Sequence, residues 1–387
     1  MKIGIVVPSV PGYSETFFNS KIKGLQANGF EVILFSKSKI REKHPLCKTV
    51  FAPDFSLRIT LLFDIIDILK NCIFHFSKAK RLFNLNKKDV LDYKYAFKNV
   101  LINSYFLPYQ LTWLHFGFGT MALQSENVAE AIGAKMAVSF RGFDLYVYPI
   151  KFPDCYRLLF SKKVKYHVLS DGMKEIVKKY NVSPELILKI SPAIDVEFFK
   201  RNKNFSDNFV IQFITVSRLH WIKGLEYILE AFSLFKKQKI PFHFTIVGDG
   251  VEKEKLMFAV HQLGISENVT FTGKIEHNKV RSYMEKSNYY IQYSLQEGFC
   301  NAVLEAQAMG LLCIVSDADG LKENVLHNKT GWVVPKRNPI LLTEKITEVV
   351  RLSEIDKFKI RENAIERVTN EFNITKQIEY FKSFYTD

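Results

Sequence analysis

Two elements meet in the stretch SNYYIQYSLQEGFCNAVLEAQAMG, residues 287–310. Its first part, Ser287 to Tyr293, is short and rich in aromatic residues, which favours a buried strand. After Cys300 the apolar side chains recur at helical spacing, at Ala302, Val303, Ala306 and Met309. Residues 297–301 therefore form a strand-to-helix turn, the repeating unit of an open α/β sheet.

The residues of this turn indicate a ligand site. Turns at the carboxyl ends of parallel strands are where ligands bind in open α/β sheets. The N-terminus of the following helix favours an anion, and Glu297, which would repel a bare phosphate, is suited to accept hydrogen bonds from neutral hydroxyls. Glu305 follows on the helix. Two acceptor-only side chains beside an anion site describe a pocket for a polyhydroxylated, phosphorylated molecule; the alternative is that each carboxylate only caps its own helix.

Composition sets the broad class of the protein. A chain of 387 residues exceeds one ordinary core and predicts two domains. The net charge of +14 favours polyanionic partners, whether phosphorylated small molecules, nucleic acid or an anionic membrane face. Five scattered cysteines without a CxxC pair indicate reduced thiols, and KIGIVVPSV indicates a first strand and not a signal peptide. We expect a cytoplasmic protein that can touch a membrane.

The alternation of strands and helices occurs twice. The first round begins with a strand, turn, helix and strand over residues 3–36, and the second begins with FVIQFITVSRL at 209–219. Between them, residues 201–208 (RNKNFSDN) are polar and poor in apolar side chains, as in a linker. The sequence therefore predicts an N-terminal domain over residues 1–200 and a second domain over 201–372.

Residues 57–106 interrupt this rhythm. Lysines and arginines are interleaved there with large apolar residues in helical segments, a pattern that suits helices lying on an anionic lipid surface. The alternative is an ordinary amphipathic helix packed on its own sheet. Nucleic acid is disfavoured as a partner because no binding motif accompanies the charge.

Several nucleotide-binding and hydrolase classes are disfavoured because their motifs are incomplete or missing in this sequence. GDG at residues 248–250 is followed by Lys253 where a dinucleotide fingerprint requires its third glycine, which argues against an NAD fold. The sequence also contains no GxxxxGK[ST], HExxH or GxSxG pattern.

Polar residues follow other predicted strands as well. Arg218 and Lys223 lie in the turn after the first strand of the second half, and with Gly224 behind them they can converge on one diphosphate. The alternative is a solvated charged loop. In the first half, His115 and Asp144 follow two strands at the mouth of the predicted sheet. His115 is equally suited to be a hydrogen-bonded core histidine.

The ordered series from Ser294 to Pro335 resembles family 4 of the retaining glycosyltransferases. It comprises Glu-x7-Glu, AQAMG, the strand LLCIVSD, DADGLKENV and NKTGWVVP. The resemblance implies the GT-B fold: α/β, with two Rossmann-like doubly wound domains facing a central cleft. It further implies that the first domain binds the acceptor, that the second binds the donor, and that a C-terminal helix, 373–387, packs back on the first domain.

The resemblance also assigns roles to residues. It implies that Arg218 and Lys223 neutralise the leaving nucleotide while Glu297 holds sugar hydroxyls. It implies contacts with the donor, some of them through backbone amides, at Gly12, Arg141, Gly273, Gly298, Phe299, Cys300, Asn301, Ala302 and Glu305. It implies positions on the acceptor side at Ser14, His115 and Asp144. Arg141 stands where the family usually has histidine, and because arginine is always charged it cannot act as a base there. The family often has two glycines in the loop where this chain has only Gly12.

The expected activity follows from this resemblance. Family members move a sugar from a nucleotide-diphosphate sugar, of UDP or GDP type, without a metal or other cofactor and with retention of configuration. SETF at residues 14–17 resembles members that build cell-surface polysaccharides. We therefore expect a lipid-linked or oligosaccharide acceptor at the inner membrane face. The alternative is a catalytically silent nucleotide-sugar-binding scaffold of a glycan-assembly complex, and a GT-B phosphorylase or epimerase fits the motifs less well.

Overall fold

The chain folds into two compact units. The computed structural model describes residues 1–11, 16–38, 40–55, 58–90, 92–202 and 209–386. One unit comprises residues 1–190 with the chain end from Ile378, and the other comprises Ser191–Gln377. The chain thus changes units after Ile190, whereas the boundary predicted from the sequence lies after residue 200. Each unit is a parallel sheet covered by helices, which confirms the predicted α/β class with two doubly wound domains.

The N-terminal unit is built on a seven-stranded parallel sheet of order β3-β2-β1-β4-β5-β6-β7. Its strands read as apolar runs because helices cover both faces of the sheet; in β1, Ile3, Ile5 and Val7 are all buried. The strands are β1 Lys2–Val7, β2 Glu31–Ser36, β3 Lys48–Phe51, β4 Trp113–Phe116, β5 Lys135–Ser139, β6 Val164–Val168 and β7 Ile187–Lys189. The short edge strands β3 and β7 were not predicted from the sequence.

Ten helices of this unit precede the crossing to the second unit in the described part of the chain. They are α1 Thr16–Ala27, α2 Arg58–Phe74, α3 Phe76–Val90, α4 Tyr93–Ile102, α5 Gly119–Ala122, α6 Val128–Ile132, α7 Gly142–Tyr146, α8 Tyr148–Lys151, α9 Arg157–Phe160 and α10 Asp171–Lys178. Helices α2 to α4 occupy the basic and apolar segment that interrupts the alternation of strands and helices.

The C-terminal unit contains a six-stranded parallel sheet of order β10-β9-β8-β11-β12-β13. Its strands are β8 Ile211–Val216, β9 Phe242–Val247, β10 Val269–Gly273, β11 Tyr289–Gln292, β12 Leu312–Ser316 and β13 Trp332–Val334. Its helices are α11 Leu225–Lys236, α12 Lys253–Gln262, α13 His277–Glu285, α14 Asn301–Ala308, α15 Asp319–Asn324, α16 Pro339–Val350 and α17 Glu354–Glu371. Strand β13 has only three residues and was not predicted.

The last helix, α18 (Ile374–Thr386), ends in the core of the N-terminal unit. Phe381, Phe384 and Tyr385 belong to the same apolar cluster as residues of β1 and α1. The indole Nε1 of Trp113 on β4 donates a hydrogen bond to the carbonyl oxygen of Tyr385 at 2.9 Å. The end of the chain is therefore part of the first sheet's packing. Within the described ranges, the helices are all too short or too polar to cross a bilayer.

Candidate functional site

The central strands β8 and β11 position the candidate site. The strand order reverses between them, since β9 and β10 lie on one side and β12 and β13 on the other. The segments that leave such a pair diverge and open a crevice at the carboxyl ends of the strands. The segment after β8 contains the short turn Trp221–Lys223, and the segment after β11 contains Glu297. The amide of Leu295 donates to the carbonyl oxygen of Ile222 at 2.8 Å, which fixes the two segments together.

Lys223 and Glu297 form an ion pair in this crevice. Lys223 Nζ donates to Glu297 Oε2 at 2.5 Å, and the two side chains are only 14% and 13% exposed. Burial lowers the pKa of Lys223, but the charge of Glu297 and the hydrogen bond to it outweigh burial, so this pKa lies above its ordinary value. Lys223 is therefore charged at neutral pH. The structure thus brings together two of the three predicted catalytic residues.

Arg218 lies on the solvent side of the same segment. Its side chain is exposed, and its charge is close enough to Lys223 to oppose protonation of the lysine. Two cations therefore lie at the mouth of β8, as the sequence predicted for a diphosphate site. Their role in binding a diphosphate stays a prediction.

Helix α15 holds the turn between Glu297 and α14. The side-chain amide of Asn324 brackets the backbone of Cys300, accepting from its N–H at 3.0 Å and donating to its carbonyl oxygen at 3.1 Å. Gly320 packs so closely that a Cβ there would lie 2.2 Å from the carbonyl oxygen of Gly298. The backbone N–H of Cys300 was predicted to contact sugar or phosphate. In the structure it donates its hydrogen bond to Asn324 instead. Burial, and after it the charge of Glu297, raises the pKa of Cys300 to about 12, which keeps the thiol neutral.

The other predicted residues of this turn surround that contact. Gly298 is buried, and Phe299 packs against Phe372 with ring centroids 5.6 Å apart. Asn301 and Ala302 begin α14 and are half-buried.

Glu305, the second glutamate of the motif, is paired with a histidine that the sequence analysis did not identify. His277 Nε2 lies 3.5 Å from Glu305 Oε1, and the imidazole also contacts the rings of Phe198 and Phe199 at 5.2 and 5.1 Å. His277 begins α13, four residues beyond the predicted Gly273 that ends β10. No motif in the sequence relates His277 to Glu305, because the contact joins two helices.

This pair predicts a pH-dependent stability. The hydrogen bond to Glu305 raises the pKa of His277 above its ordinary value of about 6.5, against the opposing effect of burial. The stabilisation is therefore complete below about pH 6.5 and is lost as the pH rises through the folded-state pKa. We expect His277→Gln to lower the melting temperature most below that pH and least at higher pH. Thermal unfolding of both proteins over a pH series measures this difference; a difference that grows as the pH rises would contradict it.

In the N-terminal unit, His115 lies at the centre of a buried hydrogen-bond chain. His115 Nε2 is 2.8 Å from Ser139 Oγ, which is 2.7 Å from His167 Nδ1, and His167 Nε2 is 2.9 Å from the carbonyl oxygen of Ile190. Because a carbonyl only accepts, His167 Nε2 carries hydrogen and Ser139 must donate to His167. His115 Nε2 then donates to Ser139, and His115 Nδ1 accepts from the Tyr385 hydroxyl.

Both ring nitrogens of His115 are therefore used within the core. Lys21 Nζ also reaches His115 Nδ1, at 3.3 Å. Burial, with the nearby charge of Lys21 after it, holds the pKa of His115 well below its ordinary value. The structure thus fits the alternative of a hydrogen-bonded core histidine better than a position that faces an acceptor.

Arg141 and Asp144 lie where α7 begins. Asp144 Oδ2 accepts from the amide of Arg141 at 2.8 Å and Oδ1 accepts from the amide and hydroxyl of Thr120 at 3.1 Å, so this buried carboxylate caps one helix and ties it to another. The guanidinium of Arg141 lies 4.4 Å from the ring centre of Phe17. Two further predicted positions, Gly12 and Ser14, lie outside the described residues.

Comparison with known proteins agrees with the sequence resemblance. Residues 196–369 match the protein family described as Glycosyl transferases group 1. The amylovoran biosynthesis glycosyltransferase AmsK of Erwinia amylovora is 24% identical over 289 residues, which cover 67% of this chain and 66% of AmsK. The match spans just under two thirds of the length of AmsK and of the putative colanic acid biosynthesis glycosyltransferase WcaL of Salmonella typhimurium.

Solved structures share the fold over the whole chain. A glycosyltransferase from Rickettsia africae superposes with a TM-score of 0.73 at 20% identity and covers 100% of this chain and 97% of its own. HepE of Anabaena, crystallised in complex with UDP and glucose, superposes with a TM-score of 0.74 at 14% identity, covering 100% of this chain and 99% of its own. The two-sheet architecture and these neighbours confirm the GT-B fold.

Proposed function

We propose that this protein is a polysaccharide-biosynthesis glycosyltransferase, since residues 196–369 match the family described as Glycosyl transferases group 1. In this proposal it moves a hexosyl group from a nucleotide-diphosphate sugar to a lipid-linked or surface-glycan acceptor, with retention of the anomeric configuration. The observation that carries the proposal is the Lys223–Glu297 pair, which lies at the switch point of the sheet in the family-matched domain.

The chemistry requires a stabilised leaving group. When the bond between sugar and diphosphate breaks, negative charge develops on the departing phosphate, and fixed positive charge close by lowers the barrier. Lys223 and Arg218 supply that charge, and no metal is needed in this scheme. In the described part of the chain, the bonds to the Glu297 side chain from Lys223 and Ser294 both end on Oε2. This leaves Oε1 to accept from a sugar hydroxyl.

The relatives support the choice of donor and pathway. HepE was crystallised with UDP and glucose, and AmsK is described as an enzyme of amylovoran biosynthesis. We therefore propose a UDP- or GDP-linked sugar as donor and place the acceptor in the N-terminal unit.

A donor panel tests the proposal. The protein is incubated with UDP-, GDP- and dTDP-sugars, with and without a lipid acceptor extract, and the released nucleoside diphosphate is measured. We expect release from one donor that rises with the acceptor and is lost in Glu297→Gln. Binding of a donor without any release would favour the silent scaffold, and neither binding nor release would contradict both.

We propose further that α2 and its neighbours dock on an anionic phospholipid surface. Phe63, Ile73 and Phe74 on α2 and Phe76 on α3 are exposed, Phe74 by 80%. Such an unpaired apolar row, set among exposed basic side chains, suits an interfacial helix. The exposed basic residues are Lys70, Lys80, Arg81, Lys88, Lys94 and Lys98.

Ion pairs neutralise some of the acidic side chains that would otherwise repel an anionic membrane from that surface. Asp64 is buried and pairs with Arg41 at 2.5 Å, and Asp89 pairs with Lys162 at 2.6 Å. Lys78, by contrast, does not add to the basic surface, because it donates to the carbonyl oxygens of Leu107 and Tyr109. Each basic residue near an anionic membrane contributes about 1 kcal/mol, so the remaining ones suffice for reversible docking.

Vesicle sedimentation tests the docking. We expect binding to vesicles that contain phosphatidylglycerol and little binding to pure phosphatidylcholine. The triple variant Lys70→Glu/Lys80→Glu/Arg81→Glu and the double variant Ile73→Ser/Phe74→Ser should each release the protein. Phe258→Ser, which alters an exposed phenylalanine of α12, is the matched control. Unchanged sedimentation of both multiple variants would contradict the proposed surface.

A further inference from the structure

Three side chains on and just after β11 form a buried polar row behind the candidate site. Tyr290, Gln292 and Ser294 alternate along the strand and therefore share one face of the sheet. Each is at most 1% exposed, although the central strand of a parallel sheet is ordinarily apolar on both faces. We propose that this row, here called the β11 relay, positions the carboxylate of Glu297; the inference rests on the proposed glycosyl transfer.

The relay ends on the carboxylate. Ser294 Oγ donates to Glu297 Oε2 at 3.1 Å, the same oxygen that accepts from Lys223. The ionised carboxylate has no proton to give, so the single hydroxyl hydrogen of Ser294 must point to it. Ser294 Oγ is then an acceptor for the next member of the relay.

The direction of the remaining bonds follows from this end point. Gln292 Nε2 donates to Ser294 Oγ at 2.8 Å, which fixes the orientation of the amide. Gln292 Oε1 must therefore accept, and it does so from the Tyr290 hydroxyl at 2.9 Å. The Tyr290 hydroxyl also lies 3.3 Å from the carbonyl oxygen of Val216 on β8, farther than Gln292 Oε1, and accepts from the amide of Val216 at 3.4 Å. A one-way series of donors thus runs from the backbone of β8 to Glu297.

Backbone contacts hold the relay in place. Ser316 Oγ on β12 donates to the carbonyl oxygen of Ser294 at 2.5 Å. A Cβ on Gly224 would lie 2.3 Å from the carbonyl oxygen of Tyr293, so the segment after Lys223 packs directly on the end of β11. The strand cannot shift away from the site without breaking these contacts. Without the relay, the carboxylate of Glu297 would keep, among the bonds between described residues, only the one from Lys223 and could turn toward solvent.

The titration of Lys223 tests the relay without any ligand. In Ser294→Ala and Gln292→Met the carboxylate is released, so the pKa of Lys223 should fall, since burial then opposes its charge with less compensation. The pH dependence of Lys223 methylation in the full chain measures this pKa. Ser287→Ala, which removes another buried serine hydroxyl of the same unit, is the matched control and should leave it unchanged. An unchanged Lys223 pKa in both relay variants would overturn the inference.

Donor binding separates the relay from the proposed function. We expect the wild type to bind both ligands of one pair, each measured separately. The pairs are UDP-glucose and UDP, or GDP-mannose and GDP. Ser294→Ala should weaken binding of the sugar-containing ligand about tenfold while changing that of the nucleoside diphosphate less than about twofold, because only the sugar meets Glu297. Equal weakening of both ligands would overturn the positioning role. If the wild type binds neither pair, the proposed function fails, and the Lys223 titration still decides the relay.

Gln292→Glu provides a pH signature that a purely structural role would not produce. A protonated glutamic acid can accept from Tyr290 and donate to Ser294, as glutamine does, whereas a carboxylate can only accept. Binding of the sugar-containing ligand by this variant should therefore resemble the wild type at low pH and fall as the introduced carboxyl ionises. Burial raises the pKa of that carboxyl above its ordinary value of about 4.3. A pH profile identical to that of the wild type would count against the relay.

Discussion

We expect Lys223→Met to lower turnover of the nucleotide sugar by about 10²–10³-fold, because it removes the buried positive charge that, in the proposed mechanism, stabilises the departing diphosphate. Methionine keeps the apolar stem of lysine and so limits the loss of packing. The measurement is the initial rate of nucleoside diphosphate release with donor and acceptor present. Lys255→Met is the matched control, since Lys255 pairs with Glu226 on the surface with its side chain 60% exposed, and we expect it to change the rate less than about threefold.

The same substitution also leaves Glu297 as an unpaired, mostly buried charge, which is destabilising by about 3–5 kcal/mol when a buried pair loses one partner. The double variant Lys223→Met/Glu297→Gln therefore separates stability from catalysis. We expect it to recover most of the melting temperature of the wild type without recovering turnover. Full turnover in the single variant, or recovery of turnover in the double variant, would refute the electrostatic role of Lys223.

The second large effect concerns the stability of the N-terminal unit. We expect Phe384→Ala to lower the free energy of unfolding of this unit by about 3–5 kcal/mol, through lost burial and the cavity left behind. Phe384 is fully buried, and its ring lies 6.2 Å from Trp113 and 5.6 Å from His115. Urea unfolding followed by tryptophan fluorescence measures the change, with Trp113 reporting on this unit.

Tyr380→Ala is the control for this prediction because it alters an aromatic residue on the same helix that is 58% exposed. A surface substitution of this kind should change the free energy of unfolding by less than about 0.5 kcal/mol. An equally small change in the free energy of unfolding for both variants would contradict this prediction. It would mean that the packing of Phe384 does not stabilise the N-terminal unit.

The strands that could be predicted from the sequence are those with a clear apolar or aromatic run, whereas β3, β7 and β13 were missed. Strands β1 and β8 read as buried runs because helices cover both faces of their sheets. By contrast, β7 and β13 have three residues each, too few for a period to be read. Their place in the sheets depends on the neighbouring strand to which they pair.

The residues of the candidate site likewise divide into those that the sequence could identify and those that it could not. Lys223 and Glu297 could be named from the sequence because each follows a predicted strand. The positive charge of Lys223 suits a diphosphate, and the carboxylate of Glu297 suits neutral hydroxyls. His277 could not, because its contact with Glu305 joins side chains of two helices, α13 and α14, that no motif connects. From the sequence His115 was open between a ligand position and a core position, and only the structure shows that both of its ring nitrogens have hydrogen-bond partners.

The sequence by itself determined the class of fold, the repeated strand-and-helix alternation and the residue types at the ends of the strands, because these depend on patterns between near neighbours in the chain. Only the tertiary structure decided which of these ends meet. Residues 223 and 297 are far apart in the sequence and become partners because β11 pairs with β8 at the point where the strand order reverses. The order of strands in a sheet is set by packing over the whole domain, and no local pattern contains it.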